Sequence, residues 1–320
     1  MMIRLVFILL LLLFGGCTTD FSDVFETEEK PVYIHFASDA SINASVSEST
    51  RSKVALCDTL PIGILGLGLQ EAELQDINLA NQNQWTLRDW MCNDLYYYTN
   101  EDKSIKHSQG KIPSFPLEDS SAVAAYAYLP HVNIEHIIFN SQSCYIPLNI
   151  IADEAATDWM YTGKIAKTKT EAIEKQDSIF TFKFKHAMTR LDLQILKPLS
   201  LEEVKLLDIN LGIHNPGIGL LSLEDGNIVL DSTTFQIDSV YYLRRRISDD
   251  TIDYVMPIRT ESFYLIPQTK IHHLRVEALR NDQDTLVCEI LMDSIKWNSD
   301  NLKAGTRSTI KVSSFKKKNL

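Results

Sequence analysis

The sequence predicts an all-β protein built as two tandem sandwiches, and three observations carry that reading. In Ile179–Ile195 (IFTFKFKHAMTRLDLQI), Phe180, Phe182 and Phe184 alternate with Thr181, Lys183 and Lys185. That is the two-residue period of a half-buried strand, whereas a helix would scatter the three rings around its axis. After an irregular join at His186–Met188, the alternation resumes with Leu191, Leu193 and Ile195. Short segments of the same period recur along the chain with turn residues between them, as sandwiches require. Finally, 320 residues suffice for two domains that each bury a core.

At the N-terminus, one positive charge at Arg4 precedes the unbroken apolar run Leu5–Phe14. The run suits a signal-peptide core and is too short for a bilayer span, which needs about 20 residues. Gly15 and Gly16 then lead into Cys17. Small residues before a cysteine at this place look like a lipobox, so residues 1–16 are expected to be a lipoprotein signal peptide and Cys17 the lipidated residue. Residues 17–30 carry Asp20, Asp23, Glu26, Glu28 and Glu29 and read as an acidic, solvated tether.

The first expected sandwich covers residues 31–175. Val32, Ile34 and Phe36 alternate with Tyr33, His35 and Ala37 in a first strand, and a polar loop follows with Arg51 in SESTRSK. PIGILGLGLQ (61–70) is strand-like, its glycines marking a bulge or tight packing. Aromatics fill Trp85–Tyr98, and Ala122–Pro130 alternates Tyr126 and Tyr128 through another strand. Lys164–Asp177 is polar and charged, the best linker in the chain, and sets the domain boundary at about residue 175.

The second sandwich is expected over 176–320. Val204–Ile213 and Gly217–Leu230 read as strands, the latter folded at the turn Asp225-Gly226-Asn227. Arg244–Arg246 is expected at a solvated loop tip. Ser262–Gln268 is a further strand, Leu274–Leu279 and Thr285–Met292 form a hairpin, and Thr306–Phe315 is the last strand.

The pattern F-x-F-x-H-A-M-x-x-L-D-x-x-I, read at Phe182–Ile195, resembles the mid-chain signature of the fimbrillin family, the lipoprotein pilins and related surface proteins of Bacteroides-type bacteria. AYAYLP, DEAATDWMYT, SFYLIPQ and the LKAG lead-in to the last strand are similar to weaker features of that family. The resemblance implies transthyretin-like Greek-key sandwiches, acyl chains (palmitate) on Cys17, and a surface-exposed place on the outer membrane, in a fimbrium. The implied partners are other pilus subunits and a surface receptor for adhesion. In polymerising members a trypsin-like protease cuts after a loop arginine, the first strand is lost, and a neighbour's strand fills the groove. Carried over here, the cut falls between Arg51 and Ser52, and Val32, Ile34 and Phe36 are the displaced knobs. An exposed arginine in a polar loop accounts for Arg51 equally well. One departure is the short tail beyond the last strand, which ends in Lys316–Lys318 and fills a core poorly. A tip, anchor or other non-stalk role follows from it.

Other functions find little support. A net charge of −11 argues against nucleic-acid binding. The glycines at 63–68 are no dinucleotide fingerprint, because no βαβ unit follows. No G-x-S-x-G elbow or phosphate-binding loop is present. The histidines lack metal-ligand spacing, and no cofactor is implied. Cys57, Cys92, Cys144 and Cys288 allow one or two disulfides or stay as free buried thiols; both remain open. No enzyme is expected. The rival reading is a surface glycan-binding lipoprotein beside an outer-membrane importer, with Trp85, Trp90 and Trp159 stacking on sugar rings unless they pack in the core.

Overall fold

The computed structural model describes residues 31–39, 59–74, 92–99, 101–140, 143–152, 155–197, 204–214, 218–230, 239–247, 258–280, 284–291 and 302–317. In chain order the elements are β1 (His35–Ser38), β2 (Thr59–Gln70), β3 (Cys92–Thr99), β4 (Ser104–His107), β5 (Ser121–Leu129), β6 (Ile138–Phe139) and β7 (Cys144–Asn149). Next come β8 (Met160–Tyr161), β9 (Ile165–Thr168), the short helix α1 (Lys169–Glu174), β10 (Ile179–Phe182), β11 (Lys185–His186), β12 (Thr189–Leu196), β13 (Val204–Ile213) and β14 (Ile218–Ser222). The last are β15 (Ile228–Leu230), β16 (Tyr241–Arg246), β17 (Ile258–Leu265), β18 (Ile271–Arg280), β19 (Asp284–Leu291), β20 (Arg307–Val312) and β21 (Lys316–Lys317). The protein is all-β.

Four sheets form. The largest runs β10-β1-β4-β3-β2-β5-β8-β11, with β9 also on β5. The others are β17-β12-β20, β16-β13-β18-β19-β21 and β15-β14-β7-β6. Pairing runs across residue 175: β10 lies parallel to β1, and β7 is antiparallel to β14. The signature stretch thus supplies strands to two sheets, β10 and β11 to the first and β12 to the three-stranded one.

β5 is buried at all nine positions because it faces two cores. Its Val123, Ala125, Ala127 and Leu129 join Ile34, Phe36, Ile62, Ile64, Phe180 and Phe182 in one cluster. The alternate residues Ala124, Tyr126 and Tyr128 join Leu65, Leu67, Leu69 and the apolar faces of β12, β13, β17 and β18 in the other. A strand with apolar groups on both faces needs covering on both, and the alternation decides which residue meets which core. The glycine-rich β2 packs against it. Gly63 lies opposite Tyr128, and a Cβ there would sit 2.3 Å from the tyrosine ring. The glycine is required by close approach, and a register shift at Ile64/Leu65 also places a bulge against β3.

Two expectations are corrected. Lys164–Asp177 is no linker, since it forms β9 on β5 and then α1. Thr168 caps the helix by accepting a hydrogen bond from the Glu171 N–H at 3.0 Å, and Ala172 enters the first core. Only Ala172 and Lys169 of the helix are buried, and the rest of the helix stays exposed. Arg244–Arg246 is no loop tip. It is the body of β16, paired to Asp208–Asn210 of β13, with Arg245 buried.

Candidate functional site

The alternation of Val32–Ser38 seats the first strand between two neighbours. β1 pairs in parallel register with β10, Phe36 opposite Phe180, and antiparallel with β4, Phe36 opposite Ile105. The bonding extends upstream, where the Ile34 N–H donates to the Pro113 carbonyl at 2.7 Å and the Phe115 N–H to the Val32 carbonyl at 2.9 Å. At the other end the Ser38 N–H donates to the Lys103 carbonyl and the Asp39 N–H to the Phe182 carbonyl, both at 3.0 Å. Ile34 and Phe36 are buried and Val32 is half-buried against the same core. Phe36 stacks on Phe182 at 5.5 Å between centroids and meets Tyr96 and Phe180 edge-on at 5.4 and 5.9 Å. A segment bonded along both edges and plugged by an aromatic cluster would, if withdrawn, leave a groove with unpaired backbone and an apolar floor.

Towards the C-terminus β21 is tied to its own sheet. Lys316 and Lys317 pair with Val287 and Leu286 at the rim of the five-stranded sheet, and Lys317 bonds Asp284 at 2.8 Å. Both lysines are exposed, so this strand buries nothing comparable to β1. Cys17, Arg51 and Ser52 lie outside the described residues, as do Cys57, Trp85 and Trp90.

Sequence reasoning missed a second arrangement, built around the signature. A cleft of about 190 Å³ is lined by Asp158, His186, Met188, Arg190, Tyr264 and Arg307, where β12, β17 and β20 meet the segment before β8. Asp192, fully buried, accepts from Arg190 Nε and Ser262 Oγ at 2.7 Å and from Arg307 Nε. Burial alone would raise its carboxyl, but the hydrogen bonds from Arg190, Ser262 and Arg307 hold it below the ordinary aspartate range. Beside it His186 Nδ1 lies 2.9 Å from the buried carboxylate of Asp158. That hydrogen bond, against partial burial, raises the imidazole above its usual value. The signal for this site was in the motif, whose His and Asp are polar residues at fixed places in an otherwise apolar pattern.

Cys144 and Cys288 are free and buried, and burial pushes the Cys144 thiol up to about 12. Trp159 is buried in the larger core, the packing role weighed against stacking for it. No group of three His, Cys, Asp or Glu among the described residues is arranged to hold a metal.

The chain belongs to the fimbrillin-like family, whose sequence profile matches residues 72–319. Among solved structures it is similar to a candidate cell adhesion protein from Bacteroides uniformis, with 16% identity, 90% of this chain and 96% of that chain covered, and a TM-score of 0.52. A candidate cell adhesion protein from Bacteroides ovatus matches at 17% identity over 91% of this chain and 96% of that one, with a TM-score of 0.49. The fimbrial anchor protein Mfa2 from Porphyromonas gingivalis matches at 10% identity over 88% and 89%, with a TM-score of 0.32. No curated protein matches the chain.

Proposed function

We propose that this protein is a non-enzymatic, lipid-anchored component of a surface fimbrium on the outer membrane, working in cell adhesion as an anchor or tip rather than a stalk subunit. Its membership of the fimbrillin-like family and its fold, shared with the candidate adhesion protein of Bacteroides uniformis, support the setting. The observation that carries the mechanism is the seat of β1. Ile34 and Phe36 fill a core that β10, β4 and β5 complete, so a strand from another subunit, apolar at alternate positions, could replace them after a cut between Arg51 and Ser52. The non-stalk role is supported by β21, where Lys316 and Lys317 are paired to their own sheet and carry no apolar knobs. Two tandem sandwiches, a signal peptide over residues 1–16 and acylation of Cys17 complete the proposal.

Intact-mass measurement and N-terminal sequencing of the protein recovered from the cell surface test it. A lipid-modified species beginning at Cys17 and retaining β1 is the expected result for an anchor. A species beginning at Ser52 would preserve strand exchange and overturn the anchor role. A species with neither lipid nor a cut at Arg51 would remove both supports.

A further inference from the structure

The cleft beside the signature has a use that strand exchange does not absorb. Its walls are held by backbone bonds on every side. The Arg190 N–H donates to the Thr306 carbonyl, the Gly305 N–H to the Met188 carbonyl and the Tyr264 N–H to the Ala155 carbonyl, each at 2.9 Å. Ala187 N–H donates to the Trp159 carbonyl at 2.8 Å, which fixes the chain on the other flank. A site held in this way needs little reorganisation to receive a ligand.

Its charge balance turns on His186. Arg190 and Arg307 share the single carboxylate of Asp192, while His186 faces Asp158. With His186 protonated these five groups sum to one net positive charge, and with it neutral they sum to none. Arg307 engages Asp192 through Nε, and its side chain is 60% exposed at the cleft, so an incoming group can reach its guanidinium. A guanidinium matches a carboxylate bidentately. A dianion fits worse, because Asp158 and Asp192 repel the second charge. Met188, Tyr264, Gly305 and Thr306 complete the lining. A volume of about 190 Å³ lies below the roughly 300–1,000 Å³ of sites for larger ligands, and suits one sugar ring or one amino-acid unit.

We propose that this cleft binds a single carboxylate group, held by Arg307 and His186 with the charge of Arg190, itself bonded to Asp192 and Ser262, behind them, at the end of a ligand about the size of one acidic sugar or one peptide C-terminus. The site is independent of strand displacement, since β1 and its neighbours contribute none of the lining residues. The charged groups facing His186 are Asp158 and Arg190, so acidification adds positive charge to the cleft.

The test is a titration of the full-length chain, by calorimetry or ligand-observed NMR, with glucuronate, acetylglycine, inorganic phosphate and glucose, at about pH 6 and about pH 8. Saturable binding of a carboxylate and none of glucose is expected, tighter at the lower pH. Arg307→Gln, checked for an unchanged unfolding midpoint, should weaken binding by about tenfold or more, the worth of a charged hydrogen bond. His186→Gln should abolish the pH dependence while leaving the binding seen at the higher pH, a readout that a purely structural role would not give. Glucuronate alone binding assigns the ligand to acidic glycans, and acetylglycine alone to peptide termini. Binding of phosphate in preference to both, equal binding of glucose, no binding at all, or full affinity in folded Arg307→Gln would each overturn the proposal. Should Arg307→Gln not fold, an unchanged pH dependence in His186→Gln would do the same.

Discussion

Arg245 and Glu261 form a buried ion pair between two sheets, Nη1 to Oε2 at 3.1 Å, with side chains only 3% and 6% exposed. Arg245 stands on β16 of the five-stranded sheet, and Glu261 on β17 of the three-stranded one. The guanidinium lies 4.5 Å above the Phe263 ring and donates also to the Ser262 carbonyl, while Arg259 holds the other oxygen of Glu261. Burial makes such a pair costly to break rather than strongly stabilising, because the cost of desolvation offsets most of the attraction. Glu261→Leu alone, leaving the buried Arg245 guanidinium without its carboxylate, should lower unfolding stability by about 3–5 kcal/mol. The double variant Arg245→Met/Glu261→Leu should recover that loss, ending between neutral and about 4 kcal/mol more stable than the parent. Urea unfolding measures all three proteins, and a double variant no more stable than Glu261→Leu would show that the stranded charge is not the cause.

The same residues show where the sequence was legible. Three adjacent arginines look solvated when only neighbours in sequence are weighed, and the partner that buries Arg245 lies on another strand. Strand identity was readable wherever one face is apolar. Val204–Ile213 matches β13, and the hairpin at Asp225–Asn227 is found with Gly226 at φ +76. What alternation cannot give is the partner: nothing in IFTF says that it will lie parallel to β1 while LDLQI enters a different sheet. Helix α1 was missed because it buries only Lys169 and Ala172 and so has no apolar stripe. Half of the seat of β1 was legible as alternation at Val32, Ile34 and Phe36, while the rings that floor it come from β3 and β10. His186 and Asp192 were visible in the motif, but Asp158 and Arg307, which complete the cleft, are joined to them only by folding.

Gly63→Ala tests the packing of β2 on β5. The added methyl would enter the space of the Tyr128 ring, which is fully buried and donates its hydroxyl hydrogen to Asn93 Oδ1 at 2.5 Å. The ring cannot swing aside without giving up that bond and its place in the core. Overpacking of this kind costs about 1–3 kcal/mol. Thermal unfolding of Gly63→Ala should show that loss, and adding Tyr128→Leu should make the alanine nearly harmless on the shortened background. An equal penalty for the alanine on both backgrounds would mean that the strain lies elsewhere.

The His186–Asp158 pair predicts how stability varies with pH. Its hydrogen bond raises the folded-state imidazole above the ordinary histidine value, with the Asp158 charge adding to the effect and burial and Arg190 opposing it. A group whose pKa rises on folding binds its proton more tightly in the native state. Its contribution is therefore complete below the unfolded value of about 6.5 and is lost as pH climbs through the higher folded value. The parent should exceed His186→Gln in stability by most in mildly acidic solution, with the gap narrowing from near neutrality upwards. Asp192 runs the other way, since its lowered pKa places its contribution above the ordinary aspartate range and removes it only in stronger acid. The two groups thus titrate in separate windows, and His186 is 40% exposed, so its share is the smaller and the more sensitive to salt. Unfolding midpoints of parent and His186→Gln measured from about pH 5 to about pH 8.5 would decide the matter. A gap that stays constant, or that widens as the solution becomes basic, would mean that the imidazole is not held protonated by Asp158.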